Sequence, residues 1–265
     1  MSAAPPPVTP RPVIPRPAAT LLLLRDGAAG LEVLMTARHE EAGFAAGALV
    51  FPGGKVDPID AALAAYCPAA PDLDEAALVL RIAAIRETFE ECGILLARQG
   101  GALLSADPLA TLLDRHGTSD AGFAALVAAA ELELATDHLV PYAHWITPVD
   151  RPKRFDTHFF LAPAAPDQIA IHDGREAVEA VWMTPQAVLG GADVGRIKLV
   201  FATRMNLVKL ARSATVAEAI AAAHSAPVVT VTPVIEKTGG GPFIHIPEAA
   251  GYGGARFAAG DIPRA

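Results

Sequence analysis

Three carboxylates crowd one short stretch of this chain, Arg86-Glu87-Thr88-Phe89-Glu90-Glu91-Cys92-Gly93. Residues three and four apart are neighbours on a helix surface, so Glu87, Glu90 and Glu91 would share one face, with Cβ atoms about 5 to 6 Å apart. Like charges so placed repel, and something positive has to offset them. Arg86, four residues before Glu90, can neutralise one edge. A hard divalent cation with oxygen ligands, Mg²⁺ or Mn²⁺, is a fuller answer, with Glu87, Glu90 and Glu91 as its ligands. A solvated acidic face on a surface helix is the plain alternative for these residues taken alone. Their context argues for chemistry. Upstream stands Phe51-Pro52-Gly53-Gly54, and two successive glycines mark a backbone that turns sharply or approaches something closely. The carbonyls and amides of such a bend can meet a metal or a phosphate, which makes Gly54 a further metal-ligand candidate and Gly53 and Gly54 substrate-binding candidates.

These groups need elements to position them. Leu78, Ile82, Ile85 and Phe89 recur at spacings of three and four, which predicts a helix over about 75–92 with one stripe facing a core. Asp72 or Asp74 is its N-cap, and Gly93 takes the left-handed position past its end. Ala48 to Phe51 reads as a short strand ending at the glycines, and residues from Ala18 to Arg38, with a turn between Asp26 and Gly30, read as a hairpin. Ile94 to Ala97 is a further strand expectation, as are His144 to Thr147, Thr157 to Leu161 and Ala177 to Trp182. Residues 106–136 carry two helical patterns, and Thr203 to Ala211 another. Strands and helices alternate irregularly, which favours a mixed sheet packed between helices.

The chain has 265 residues and a formal net charge of −8. That length supports one catalytic domain with extensions, and that charge disfavours a nucleic-acid-tracking surface, which needs clustered Lys and Arg. The two cysteines, Cys67 and Cys92, have no metal-ligand spacing, so reduced thiols in a cytosol-like, cytoplasmic compartment are expected. No apolar run reaches the roughly 20 residues of a membrane span. Residues 1–17 form a Pro-rich arm without the apolar region of a secretory signal; its two arginines are compatible with a transit peptide, which its proline density opposes. Residues 227–265, with Gly239-Gly240-Gly241, are expected to be loop-rich. Arg151, Lys153 and Arg154 concentrate positive charge before a strand, where a substrate phosphate could dock, Arg154 being the preferred candidate; solvated turn residues are the alternative. No Ser-His-Asp spacing, G-x-S-x-G elbow, Walker A or H-E-x-x-H occurs, which disfavours acyl transfer and P-loop chemistry.

The stretch Gly54 to Ile94 resembles the Nudix box, G-x5-E-x7-R-E-U-x-E-E-x-G-U with U bulky and apolar. Gly54, Arg86, Glu87, Glu90, Glu91, Gly93 and Ile94 match it. Asp60 stands where the family has its first Glu, and Thr88 occupies the first U position. Between Asp60 and Arg86 lie 25 residues where the pattern has seven, an insertion of 18 placed at about 61–78. Such a split box is similar to that of the mammalian peroxisomal branch of coenzyme A diphosphatases. The upstream segment Leu34-Met35-Thr36-Ala37-Arg38 through Gly47 to Phe51-Pro52-Gly53-Gly54 is also similar to the L-L-T-x-R…G-x3-F-P-G-G signature of coenzyme A-cleaving members. His39 replaces a small residue of that signature and Gly43 its second arginine.

The resemblance implies an α/β fold, a Nudix α/β/α sandwich with a mixed β-sheet, over residues 18–226. It implies metal-dependent hydrolysis of a diphosphate linkage, with coenzyme A or acyl-coenzyme A as first substrate. ADP-ribose, NADH or a nucleotide sugar is the next, and a nucleotide sensor without turnover is a third option. Arg86, Glu87, Glu90 and Glu91 would be catalytic, with Arg86 holding the cluster. Arg38 would bind substrate, and of Glu176 and Glu179, around the strand at Ala177, Glu176 is the preferred residue to complete the metal shell or act as base, with a surface polar role as the alternative for either. The expected partner is a small-molecule diphosphate, with no nucleic acid and no membrane; a homodimer is compatible with the sequence.

Overall fold

The structure, a computed structural model, describes residues 13–38, 46–68, 73–116, 122–165, 167–171, 177–239 and 241–258. Strand β1 (Arg16–Gly27) holds the run Leu21 to Leu24, each 0% exposed. A strand that is apolar at every position is covered on both faces, and the neighbours bear this out. Leu21 and Leu23 join one apolar cluster and Leu22 and Leu24 another, as the period-2 alternation of a strand demands. β1 turns through Gly27 to Gly30 into β2 (Gly30–Arg38), its antiparallel partner. The short β3 (Leu49–Val50) pairs with β2, and β4 (Gly53–Lys55) pairs with the beginning of β1.

Helix α1 (Pro58–Ala62) and a 3₁₀ turn over Leu63–Tyr66 precede α2 (Glu75–Cys92). Then follow β5 (Ala97–Gln99), β6 (Ala102–Leu103), α3 (Ala106–His116), α4 (Gly122–Ala129) and β7 (Glu133–Leu134). Ile94 to Leu96, expected as strand, are not one. They are buried, and the Gln168 side chain serves their backbone as a strand neighbour would, accepting from Leu95 N (2.8 Å) and donating to Leu95 O (3.1 Å). An apolar run with its amides satisfied inside the fold looks like a strand from sequence whichever group satisfies it.

Strands β8 (Val140–Ile146), β9 (Phe155–Pro163) and β10 (Ala177–Met183) complete the main sheet, and α5 (Pro185–Asp193), α6 (Phe201–Leu210) and α7 (Val216–Ser225) cover one face. With β11 (Thr230–Val231), the order is β10-β2-β1-β9-β8-β11. β1 with β9 and β8 with β11 run parallel and the remaining pairs antiparallel. The sheet is therefore mixed. One face packs on α2 through Ile82, Ile85 and Phe89 with Phe123 and Leu126 of α4. The other packs on Val188, Met205, Leu207 and Ala219. Helices on both faces make an α/β/α sandwich.

The segment after residue 226 is less loop-like than its glycines suggested. It carries β12 (Val234–Thr238), β13 (Gly241–His245) and β14 (Arg256–Ala258), an antiparallel three-stranded sheet. Ile244, Ile246 and Tyr252 enter the second cluster. There Trp145 Nε1 donates to the Tyr252 hydroxyl (2.9 Å), which donates to Asn206 Oδ1 (2.8 Å). Among the described residues, no helix is long and apolar enough to cross a membrane.

Candidate functional site

The Asp74 side chain caps α2 by accepting from Ala77 N (2.7 Å), and Gly93, at φ 69°, closes its far end with its N–H on Phe89 O (2.8 Å). These caps fix where the helix stops, so Glu87, Glu90 and Glu91 rise from its last two turns. That end carries the negative pole of the helix dipole, which disfavours acids there. The cluster is thus costly both through mutual repulsion and through its place on the helix.

Arg86 is the group that offsets it. Its Nε donates to Asp60 Oδ1 (2.7 Å) and Nη2 to Asp60 Oδ2 (3.1 Å), a two-pronged pair between side chains 7% and 0% exposed. Nη2 also reaches Lys55 O (2.9 Å), while Nη1 serves both Glu87 Oε1 (3.0 Å) and Glu90 Oε2 (2.8 Å). Every N–H direction of the planar fork is thereby used. Burial disfavours the guanidinium charge, but the hydrogen bond to Asp60 and the charges of Glu87, Asp60 and Glu90 override it and hold Arg86 above its ordinary pKa. Asp60 is fixed in turn, because it also accepts from Asp57 N (2.8 Å) in the capping box that starts α1. The 25 residues between Asp60 and Arg86 do not separate them; the split box closes in space through this ion pair. Thr88, at the position the family fills with an apolar residue, is buried and satisfied by donating to Ala84 O (2.7 Å).

The glycine bend lies against the same helix face. Gly53 has φ 151°, a conformation that side chains rarely adopt, and its N–H points to Glu91 Oε2 (3.4 Å). A Cβ at Gly54 would stand 2.5 Å from Glu87 Cδ. So Glu87 faces Gly54, Glu91 faces Gly53, and Glu90, with 46% of its side chain exposed, shares Arg86 with Glu87. Carboxylate oxygens beside a backbone kept bare by glycine are the donors a hard cation takes, so this residue set fits Mg²⁺ or Mn²⁺.

Other sequence-derived candidates are placed differently. Arg38 ends β2 with its backbone paired to Ala177; its side chain lies outside the described residues, as does Glu176. Arg154 is 8% exposed and donates from Nε to Thr147 O (3.0 Å) and from Nη1 to Val13 O (2.7 Å). Those bonds tie the segment before β1 to the start of β9, so its guanidinium holds the main chain, and the structure does not bring it to the glutamates. Arg151 and Lys153 are exposed beside it. Asp60 and the Lys55 carbonyl were missed as site residues. The signal for Asp60 is an acid at the family's first carboxylate position, one methylene shorter than the Glu of the pattern.

A family model described as the NUDT19 Nudix domain matches residues 70–197. Among solved structures, a NUDIX hydrolase from Alicyclobacillus acidocaldarius is similar at 30% identity and a TM-score of 0.66, over 78% of this chain and 96% of that one. Among curated proteins, acyl-coenzyme A diphosphatase NUDT19 of Homo sapiens is 28% identical over 60% of this chain and 54% of its own length. The protein of the same name from Gallus gallus is 29% identical over 60% and 55%. The chain spans about half the length of these curated relatives.

Proposed function

Since this chain belongs to the Nudix hydrolase family, we propose that it hydrolyses the P–O–P bridge of a nucleoside diphosphate derivative, with Mg²⁺ or Mn²⁺ held by Glu87, Glu90 and Glu91. The observation that carries the reading is the Arg86 fork, which binds Asp60, Glu87 and Glu90 at once beside the Gly53-Gly54 bend. A surface helix with an idle acidic face has no need of a buried arginine locked to a fully buried aspartate. When bound, the metal supplies charge neutralisation on the diphosphate and acidifies the attacking water.

The chain's own groups then divide the work. Glu87, Glu90 and Glu91 hold the cation; Arg86 orients Glu87 and Glu90, and the Gly53 N–H meets Glu91; Gly53 and Gly54 let a phosphate oxygen approach the main chain. Gly54 adds its carbonyl to the metal ligands, and Glu176 is the proposed acceptor of the water proton. Coenzyme A or acyl-coenzyme A is the leading substrate, giving 3′,5′-ADP and (acyl-)phosphopantetheine. Its support is the Leu34 to Gly54 signature, with Arg38 as the anion partner, together with the name of the curated relatives. Arg154, tied to the main chain, is given no substrate role here. The two cysteines, both buried, suit a reducing, cytosol-like compartment.

The test is incubation of the purified chain, with Mg²⁺ or Mn²⁺, against coenzyme A, acyl-coenzyme A, ADP-ribose, NADH and nucleotide sugars, with products identified by mass. Phosphopantetheine and 3′,5′-ADP are the expected products. Cleavage of ADP-ribose or NADH alone would replace the substrate, and binding without cleavage of any of them would overturn the hydrolase reading in favour of a sensor.

A further inference from the structure

Away from the glutamates, two histidines and an aspartate meet on the main sheet. In the β8–β9 register His144 faces His158 and Ile146 faces Asp156. Directly paired residues share a face, as do residues two apart on one strand, so His144, Asp156 and His158 project together. Their ligand atoms all lie within 4.8 Å of one another. Asp156 Oδ1 contacts His144 Nε2 closely and stands 3.8 Å from His158 Nε2. The two imidazole rings stack, with centroids 4.0 Å apart.

We propose that His144, Asp156 and His158 form a second divalent-metal site, for an imidazole-preferring ion such as Zn²⁺, separate from the glutamate site on α2. Two imidazoles and one carboxylate are the donors that select Zn²⁺ or Co²⁺ over Mg²⁺. Around a tetrahedral ion with bonds of about 2.1 Å, ligand atoms stand about 3.4 Å apart. To reach that spacing Asp156 backs away from His144 Nε2 and the stacked rings turn their nitrogens toward a common point. Thr230 Oγ1, 2.8 Å from His144 Nδ1, holds the ring so that Nε2 faces inward. Such a partner on the second ring nitrogen is what oriented metal-binding histidines have. Side-chain exposures of 16%, 36% and 35% leave a path for an ion and room for water to finish its shell.

One transverse row of the sheet relates this trio to the proposed active site. Thr230 pairs with His144, His144 with His158, His158 with Ala19, and Ala19 with Gly54. At about 4.8 Å between strands, His158 is roughly 10 Å and His144 roughly 14 Å from Gly54. Fully buried Ala19 stands between. The trio brings two imidazoles and one carboxylate together without drawing on any of the three glutamates. It clamps β8 to β9 at the place where β11 joins the sheet.

The experiment is calorimetric titration of the full chain with Zn²⁺, and Co²⁺ absorption to report imidazole ligation, on wild type, His158→Asn, Asp156→Asn and Glu90→Gln. Zn²⁺ affinity is expected to fall by about tenfold or more in the first two variants and to persist in Glu90→Gln. Because a variant can fail to fold, ring ¹⁵N spectra of wild type provide a second readout. Zn²⁺ should shift two of the eight histidines. The proposal is overturned if no histidine moves, or if Zn²⁺ binding is unchanged in folded His158→Asn and Asp156→Asn. Loss of Zn²⁺ in Glu90→Gln alone also overturns it. None of these readouts depends on turnover, so the hydrolase reading can fail while this one stands.

Discussion

Replacing Asp60 by alanine tests the arrangement at its anchor. Asp60 is fully buried and receives two N–H groups from Arg86, itself 7% exposed, and one from Asp57 N. Removing one partner of a buried ion pair costs about 3–5 kcal/mol, because the other charge stays out of water uncompensated. Arg86 keeps Lys55 O, Glu87 and Glu90, which puts the expected cost at the low end, about 3 kcal/mol. Urea unfolding followed by tryptophan fluorescence reads it as a lower midpoint at unchanged slope. Asp60→Glu, which restores the carboxylate the family pattern has, should still cost about 1–3 kcal/mol, because a fully buried side chain has no room for another methylene. In either variant that stays folded, Arg86 loses its fixed position between Asp60 and the glutamates, and kcat should fall with KM little changed. A loss below about 1 kcal/mol for Asp60→Ala would refute the claim that this pair anchors the site.

Glu90→Gln should abolish turnover while leaving the melt where it is, since the side chain is 46% exposed; unchanged kcat would remove Glu90 from the site. Gly53→Ala and Gly54→Ala should behave differently. At Gly53 a Cβ would stand 2.4 Å from the Ala19 carbonyl at φ 151°, so thermal melting should show a loss above about 1 kcal/mol. At Gly54 the nearest atoms it would meet belong to the movable Glu87 carboxyl, so activity should drop with stability nearly intact. Arg38→Ala should raise KM for coenzyme A substrates specifically; an equal rise for every diphosphate would take away its assigned part. Burial pushes the Cys67 thiol up to about 11, against the opposing contact with Thr136. At pH 8 only about one Cys67 in a thousand is then a thiolate, so iodoacetamide should label it in urea and not in the native protein; fast native labelling would contradict that burial.

Much of the site's scaffold was legible because it is local. The bounds of α2 follow from Asp74, the apolar spacing and Gly93, which act over single turns. The Leu21 to Leu24 run announces a central strand for the same reason. What escaped is what other parts of the chain decide. Gln168 completes the backbone of Leu95 from 73 residues away, and no local pattern distinguishes that from a strand. Arg154 reads as a free cation until Val13, 141 residues earlier, is seen to take one of its hydrogen bonds. Asp60 sits in a capping box, itself a local signal, yet its ion pair with Arg86 depends on how the intervening insertion folds back. The trio on β8 and β9 shows only in the register, since single histidines 14 residues apart carry no spacing of their own.

The bond from Trp145 to Tyr252 spans 107 residues. Closing a loop of that length costs chain entropy, which the apolar burial around Tyr252 has to offset. Until Ile244, Ile246 and Tyr252 arrive, the flank of the sheet that buries Trp145 and Met205 stays apolar and open. During synthesis Ile244, Ile246 and Tyr252 emerge after Trp145 and Met205, so the nascent chain passes through an interval in which the residues bearing the glutamates are already made while this flank is uncovered. That interval, more than any weakness of the finished fold, is where aggregation would begin.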